Sequence, residues 1–125
     1  MANSERHIVV GVDDDRRVRE SLQSLLESAG YAPLMFASGE EFLRSGALMA
    51  ATCVITDVRM PGMDGIKVQR RIRLERPELP VIFLSGRYSA DVRERALQEG
   101  AVAFLYKPFD SEGLLEVVRA GLTNN

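Results

Sequence analysis

Five short apolar runs, each followed by a stretch with helical periodicity, limit what this chain can become. His7-Ile8-Val9-Val10-Gly11-Val12 is the first run, apolar throughout. A strand of that kind has helices over both of its faces. Arg16 to Ala29 follows with Val18, Leu22, Leu25 and Leu26 at helical spacing, and Gly30 stops it. Ala32 to Ala37 reads as the second strand. Ser38 caps a short helix, with Glu41 three residues on in the capping-box pattern and Phe42 and Leu43 facing inward. Thr52 to Thr56 is the third strand. After the Pro61–Gly65 turn, Ile66 to Glu75 carries Ile66, Val68, Ile72 and Leu74 as a helix. Pro77 and Pro80 end it and lead into the fourth strand, Val81 to Ser85. Ala90 to Glu99 is the fourth helix, with Val92, Ala96 and Leu97 inward and Gly100 as its stop. Val102 to Tyr106 is the fifth strand, broken by Lys107-Pro108. Ser111 caps the last helix, which carries Leu114, Leu115, Val118 and Leu122.

Five strands alternating with five helices imply an α/β domain: a doubly wound parallel sheet with right-handed crossovers. The 125 residues suffice for one domain and one core, so residues 1–125 read as a single domain. A formal net charge of -2, with no long run of Lys or Arg, argues against direct nucleic-acid binding by this chain. No apolar run reaches the length of a membrane span, and the polar start, Met1 to Arg6, has no signal-peptide core. The cytoplasm is the expected location. The one cysteine, Cys53, lies within the third strand, where it reads as a small core residue and excludes an internal disulfide.

In a parallel sheet every strand delivers its carboxyl end to the same rim, where ligands bind. Strand one delivers Asp13 and Asp14, and strand three delivers Asp57. Strand four delivers Ser85 followed by Gly86, and strand five delivers Lys107 followed by Pro108. One carboxylate at a strand end is ordinary surface charge, but three converging carboxylates repel one another. Such a cluster either raises a pKa or holds a cation. With hard oxygen donors and no His or Cys alongside, Mg²⁺ or Mn²⁺ is the natural occupant. A cation, an ammonium, a hydroxyl and loop N–H groups together meet the needs of a transferring phosphoryl group. An Asp can take that group as an acyl phosphate. The only His, His7, stands at the opposite end of strand one, which argues strongly against a Ser-His triad. Neither a P-loop nor a GxGxxG follows strand one, which disfavours a nucleotide-binding domain.

These motifs, in this order, resemble the receiver (CheY-like) domain of bacterial two-component response regulators. Val12-Asp13-Asp14-Asp15 is similar to the family's acidic opening, and Asp57-Val58-Arg59-Met60-Pro61-Gly62-Met63-Asp64-Gly65 to its phosphoacceptor segment. Leu84-Ser85-Gly86 resembles its hydroxyl position, and Lys107-Pro108-Phe109 its lysine motif. The resemblance covers essentially the whole chain. It implies the flavodoxin-like (βα)5 fold with strand order 2-1-3-4-5. It implies that Asp57 is the phosphorylated residue, and that Asp13, Asp14, Asp57 and the backbone carbonyl of Arg59 hold Mg²⁺. Ser85 and Lys107 would grip the phosphoryl oxygens, with a cis Lys107-Pro108 bond. Ser85 and Phe104, three before the lysine, would form the switch. The surface of the fourth helix, fifth strand and fifth helix would carry the response. The implied partners are a sensor histidine kinase, a phosphorylation-dependent homodimer, and an output domain or effector. Ala37-Ser38-Gly39-Glu40-Glu41-Phe42-Leu43 resembles the FixJ-like subgroup, whose receivers usually precede a DNA-binding domain, so control of transcription is the expected output.

Two alternatives stand beside this reading: a stand-alone receiver, and a degenerate receiver acting as a phosphorylation-independent interaction module. An enzyme of the aspartyl-phosphate phosphatase type commonly has a second Asp two positions past the nucleophile; Arg59 occupies that position, so the chain is expected to be a switch and not an enzyme. Asp15 reads as a charge at a helix N-terminus. Arg59 and Arg87 read equally as solvent-facing arginines or as modulators of phosphate lifetime, and Met60 and Tyr106 as packing.

Overall fold

The strands pair as the alternation requires. The computed structural model describes residues 6–123, so most of the polar opening stretch and the last two residues lie outside the described residues. The order is β1 (Ile8–Val12), α1 (Arg16–Ser28), β2 (Ala32–Phe36), α2 (Gly39–Ser45), α3 (Ala47–Ala50), β3 (Cys53–Thr56), α4 (Gly65–Glu75), β4 (Val81–Ser85), α5 (Ala90–Gln98), β5 (Ala103–Tyr106) and α6 (Ser111–Thr123). The strands form one parallel sheet in the order β2-β1-β3-β4-β5.

Strand side chains alternate between two cores. Val10, Val54, Val81, Phe83 and Phe104 face one side, where Phe42, Val68, Ile72 and Ala96 close over them. Val9, Cys53, Ile55, Ile82 and Leu84 face the other, beneath Leu22 and Leu26 of α1 and Leu114 and Val118 of α6. Each fully buried Leu or Ile contributes about 1.5–3 kcal/mol relative to an exposed one. Two-sided burial is why these strands carry no polar alternation.

Several local expectations shift. Among the described residues there is a sixth helix, α3, that periodicity does not reveal. Four residues are too few for a period; Gly46, at φ 82°, ends α2 and lets Ala47 and Leu48 fold into the core. Asp110, rather than Ser111, caps α6, its Oδ2 accepting the Gly113 N–H at 2.8 Å. Asp15 is more than a nearby charge: its Oδ1 accepts the Arg17 N–H at 2.9 Å as the cap of α1. Ser38 caps α2 as expected, but Glu41 reaches back to the Ala37 N–H, one residue before the cap. Leu74 is 81% exposed, and β5 starts at Ala103, leaving Val102 partly in solvent.

Candidate functional site

Strand register assembles the site. Val12 pairs with Thr56 across β1 and β3, so the next residues, Asp13 and Asp57, emerge side by side on adjacent strands. The sheet's hydrogen bonding continues one step past the strands, with the Asp57 N–H on Val12 O at 2.9 Å and the Asp13 N–H on Phe36 O at 3.1 Å. Ser85 pairs with Tyr106 across β4 and β5, and the Lys107 N–H donates to Ser85 O at 2.8 Å. The Lys107-Pro108 bond is cis, as the family resemblance implies.

Lys107 then crosses the rim. Its Nζ lies 2.8 Å from Asp13 Oδ2 and 3.1 Å from Asp57 Oδ2, bridging two buried carboxylates. The other oxygen of Asp57, Oδ1, accepts the Val58 N–H at 2.7 Å. Asp13 Oδ1 accepts the Asp15 N–H at 2.8 Å, and Arg19 holds the Asp13 carbonyl at 2.9 Å. Burial lifts the Asp13 carboxyl above its ordinary pKa, although the hydrogen bonds from Lys107 and Asp15 pull the other way. For Lys107, burial disfavours the charged form, but the hydrogen bond to Asp13 and the charges of Asp13 and Asp57 outweigh it and hold the ammonium above its ordinary pKa.

Asp13, Asp14 and Asp57 each offer a carboxylate oxygen, all within 4.8 Å of one another, with Asp14 exposed to water. An all-oxygen set open to solvent on one side suits a hard divalent cation that keeps part of its water shell. Beside it lies a cavity of about 320 Å³ lined by Asp57, Arg59, Ser85, Gly86, Arg87 and Lys107. The Ser85 hydroxyl is at its wall, donating to Arg87 O at 3.0 Å and accepting the Arg87 N–H at 3.1 Å. Ser85 is thus tied to its own loop and makes no hydrogen bond to Asp57.

Phe104 stands 8% exposed, stacked on Phe83 with centroids 5.7 Å apart. It already points inward. The half-buried ring on that face is Tyr106, packed between Phe104 and the exposed Tyr88, with its hydroxyl buried and unpartnered among the described residues. Met60 is buried in the core, as read. Burial pushes the Cys53 thiol up to about 12, which leaves it inert at neutral pH.

The model of the response regulator receiver domain matches residues 9–119. The chain belongs to the response regulator receiver domain family. This receiver is 38% identical over 120 residues to the response regulator protein TmoT of Ectopseudomonas mendocina, covering 96% of this chain and 54% of that protein. It is 35% identical over 116 residues to the transcriptional regulatory protein FixJ of Bradyrhizobium diazoefficiens, covering 93% of this chain and 56% of FixJ. The chain therefore spans about half the length of these curated relatives. Among solved structures, the beryllofluoride-activated NtrC4 receiver domain dimer superposes with a TM-score of 0.88 at 30% identity, over 94% of this chain and 97% of that one. No helix among the described residues is long and apolar enough to cross a membrane.

Two residues of the receiver's rim escaped the sequence reading. Arg19, only six residues after Asp13, reaches that residue's carbonyl from the first turn of α1, a side-chain direction that apolar periodicity does not encode. Glu40 has a faint local signal. In Ser38-Gly39-Glu40-Glu41 a single acid completes the capping pattern, and the second acid has no local partner in that pattern.

Proposed function

We propose that Asp57 accepts a phosphoryl group from the phosphohistidine of a sensor histidine kinase. The observation that carries this reading is the Lys107 bridge between Asp57 and Asp13, inside a cluster of three carboxylates. Asp13, Asp14 and Asp57, with the backbone carbonyl of Arg59, would hold Mg²⁺ or Mn²⁺, which neutralises phosphoryl charge when bound. A carboxylate oxygen of Asp57 forms the new bond to phosphorus as the bond from phosphorus to the imidazole nitrogen breaks. The Val58 N–H and the Lys107 ammonium orient that carboxylate beforehand. Lys107 has three donors, two of them engaged by Asp13 and Asp57, so one is free for a phosphoryl oxygen.

Ser85 is the second contact. A dianion on Asp57 would draw its hydroxyl from Arg87 O by a charge-assisted hydrogen bond. That moves the Gly86-Arg87-Tyr88 loop, and with it the surface of α5, β5 and α6. Phe104, with Tyr106 beside it, is the ring pair that would register the shift. The response would be a homodimer or a contact with an output domain, most simply one controlling transcription in the cytoplasm. The domain itself acts on no further substrate; it would take the group from a small donor slowly and lose it to water.

The test is intact mass after incubation with acetyl phosphate and Mg²⁺. The wild type should gain one phosphoryl mass, and Asp57→Asn and an EDTA-treated sample should not. Modification of Asp57→Asn at the wild-type rate would remove the assignment. Sedimentation with beryllofluoride, repeated on Ser85→Ala and Phe104→Ala, tests the switch separately.

A further inference from the structure

The loop from Asp57 to Asp64 carries three of the groups assigned above: Asp57, the Val58 N–H and the Arg59 carbonyl. It leaves the sheet at β3 and re-enters order at Asp64, whose Oδ1 accepts the Lys67 N–H at 3.0 Å as the cap of α4. Its base is closed by the Gly65 N–H on Val58 O at 2.8 Å. The apex between is Pro61-Gly62-Met63, and a long-range contact holds it there. Glu40, in the first turn of α2, accepts the Met63 N–H on its Oε2 at 3.1 Å across 23 positions of sequence.

Two glycines show how close this approach is. Gly62 has φ 77°, and a Cβ there would stand 2.5 Å from Glu40 Oε2. A Cβ on Gly39, the residue before Glu40, would stand 2.5 Å from Val68 Cγ2 and 3.4 Å from Met63 Sδ. The Gly39 backbone is thus set against side chains of α4 and the loop, and the Gly62 backbone against the Glu40 side chain. Glu41, its neighbour, turns the other way and bonds the Ala37 N–H. The two adjacent acids therefore do different work: one completes a helix end, and the other reaches a different segment of the molecule.

We propose that Glu40 is a positioning residue for the cation site, fixing the apex of the loop whose Arg59 carbonyl and Asp57 carboxylate bind the metal. This rests on the reading of Asp13, Asp14 and Asp57 as that site. The reason is preorganisation: a carbonyl ligand on a loop pinned at its base and apex is held in place before the metal arrives. With the apex free, metal binding must also order the loop. Partners one step removed from a metal typically change its affinity by about 10–100-fold.

The experiment compares Glu40→Ala, Glu40→Gln and Glu41→Ala with the wild type. It uses calorimetric Mg²⁺ titration, amide exchange of Met63 in the metal-free state, and thermal melting. Glu40→Ala should bind Mg²⁺ about tenfold more weakly, with faster exchange at Met63. Glu40→Gln keeps a side-chain acceptor and should stay within about twofold of wild type on the same scale. Glu41→Ala removes an acid from the same helical turn; it should lower the melting temperature comparably and leave Mg²⁺ affinity unchanged. If Glu40→Gln binds as weakly as Glu40→Ala, the effect is long-range charge and positioning is overturned. It is also overturned if Glu40→Ala matches the wild type, or if Glu41→Ala weakens Mg²⁺ equally. A wild type that binds no Mg²⁺ overturns the site reading itself, and this proposal with it.

Discussion

Replacing Lys107 by Met removes the ammonium and keeps most of the stem, so it isolates what the charge does. The two carboxylates it bridges have side chains only 2% and 9% exposed, so water screens them poorly. Their oxygens lie within 4.8 Å of each other. At an effective dielectric constant near 20, two like charges at that distance repel by roughly 3.5 kcal/mol. In the wild type the ammonium offsets this from 2.8 and 3.1 Å. Without a divalent cation, Lys107→Met should therefore lose roughly 3 kcal/mol near neutral pH, within the range measured for breaking buried pairs. For a chain of this size that lowers the melting temperature by about 10 °C. The pH dependence has a definite sign. Loss of the ammonium raises the Asp13 pKa further, so between the unfolded and folded values the native state binds more protons than the unfolded one. The deficit is full above the folded pKa and shrinks as pH falls through it. Mg²⁺ bound as proposed would supply the missing positive charge and should restore more stability to the variant than it adds to the wild type. Thermal melts at neutral and mildly acidic pH, in EDTA and in excess Mg²⁺, measure all three effects. If Lys107→Met in EDTA melts with the wild type, or gains no more from Mg²⁺, the carboxylates are not held together by this lysine.

The raised Asp13 pKa should make protons compete with the proposed metal at a higher pH than an ordinary aspartate would allow. Mg²⁺ affinity should thus decline on acidification before the usual carboxylate range is reached; calorimetry that shows no decline until that range would refute this. Gly65→Ala places a Cβ against the Asp57 carbonyl oxygen and 3.0 Å from the Phe83 ring. It should cost roughly 1–3 kcal/mol in denaturant unfolding and slow the proposed phosphorylation, because the overlap displaces the backbone of Asp57; wild-type behaviour in both assays would refute the close approach.

Much of the site was legible because parallel strands impose a rule that needs no coordinates. Residues just past each apolar run share a rim, so Asp13, Asp14, Asp57, Ser85 and Lys107 could be grouped before any distance was known. The rule reaches no further than the rim. It could not show that Lys107 spans both Asp13 and Asp57, nor that the Ser85 hydroxyl is turned onto Arg87. The first joins residues distant in sequence, and the second is a bond within one turn, two residues on, about which a rule for strand ends says nothing. Phe104 shows the same limit: its motif position marks it as an aromatic of interest, but only packing against Phe83 places the ring already inside. The helix α3 was missed because a single turn has no period to detect, and burial of Ala47 and Leu48 is what stabilises it.

By itself, the order of residues determined the fold class, the sheet's two-sided burial and the identity of the rim groups. Each follows from short-range rules: alternation of apolar runs, caps, and stops at Gly and Pro. The tertiary structure alone decided the strand register that sets Asp13 beside Asp57, the lysine bridge between them, and the Glu40 contact to Met63. These join residues 23 to 94 positions apart, as the Lys107–Asp13 pair shows at the upper end (107 − 13 = 94). No local propensity encodes a contact at such separation; it exists only once both cores have closed and fixed the elements that carry its two ends.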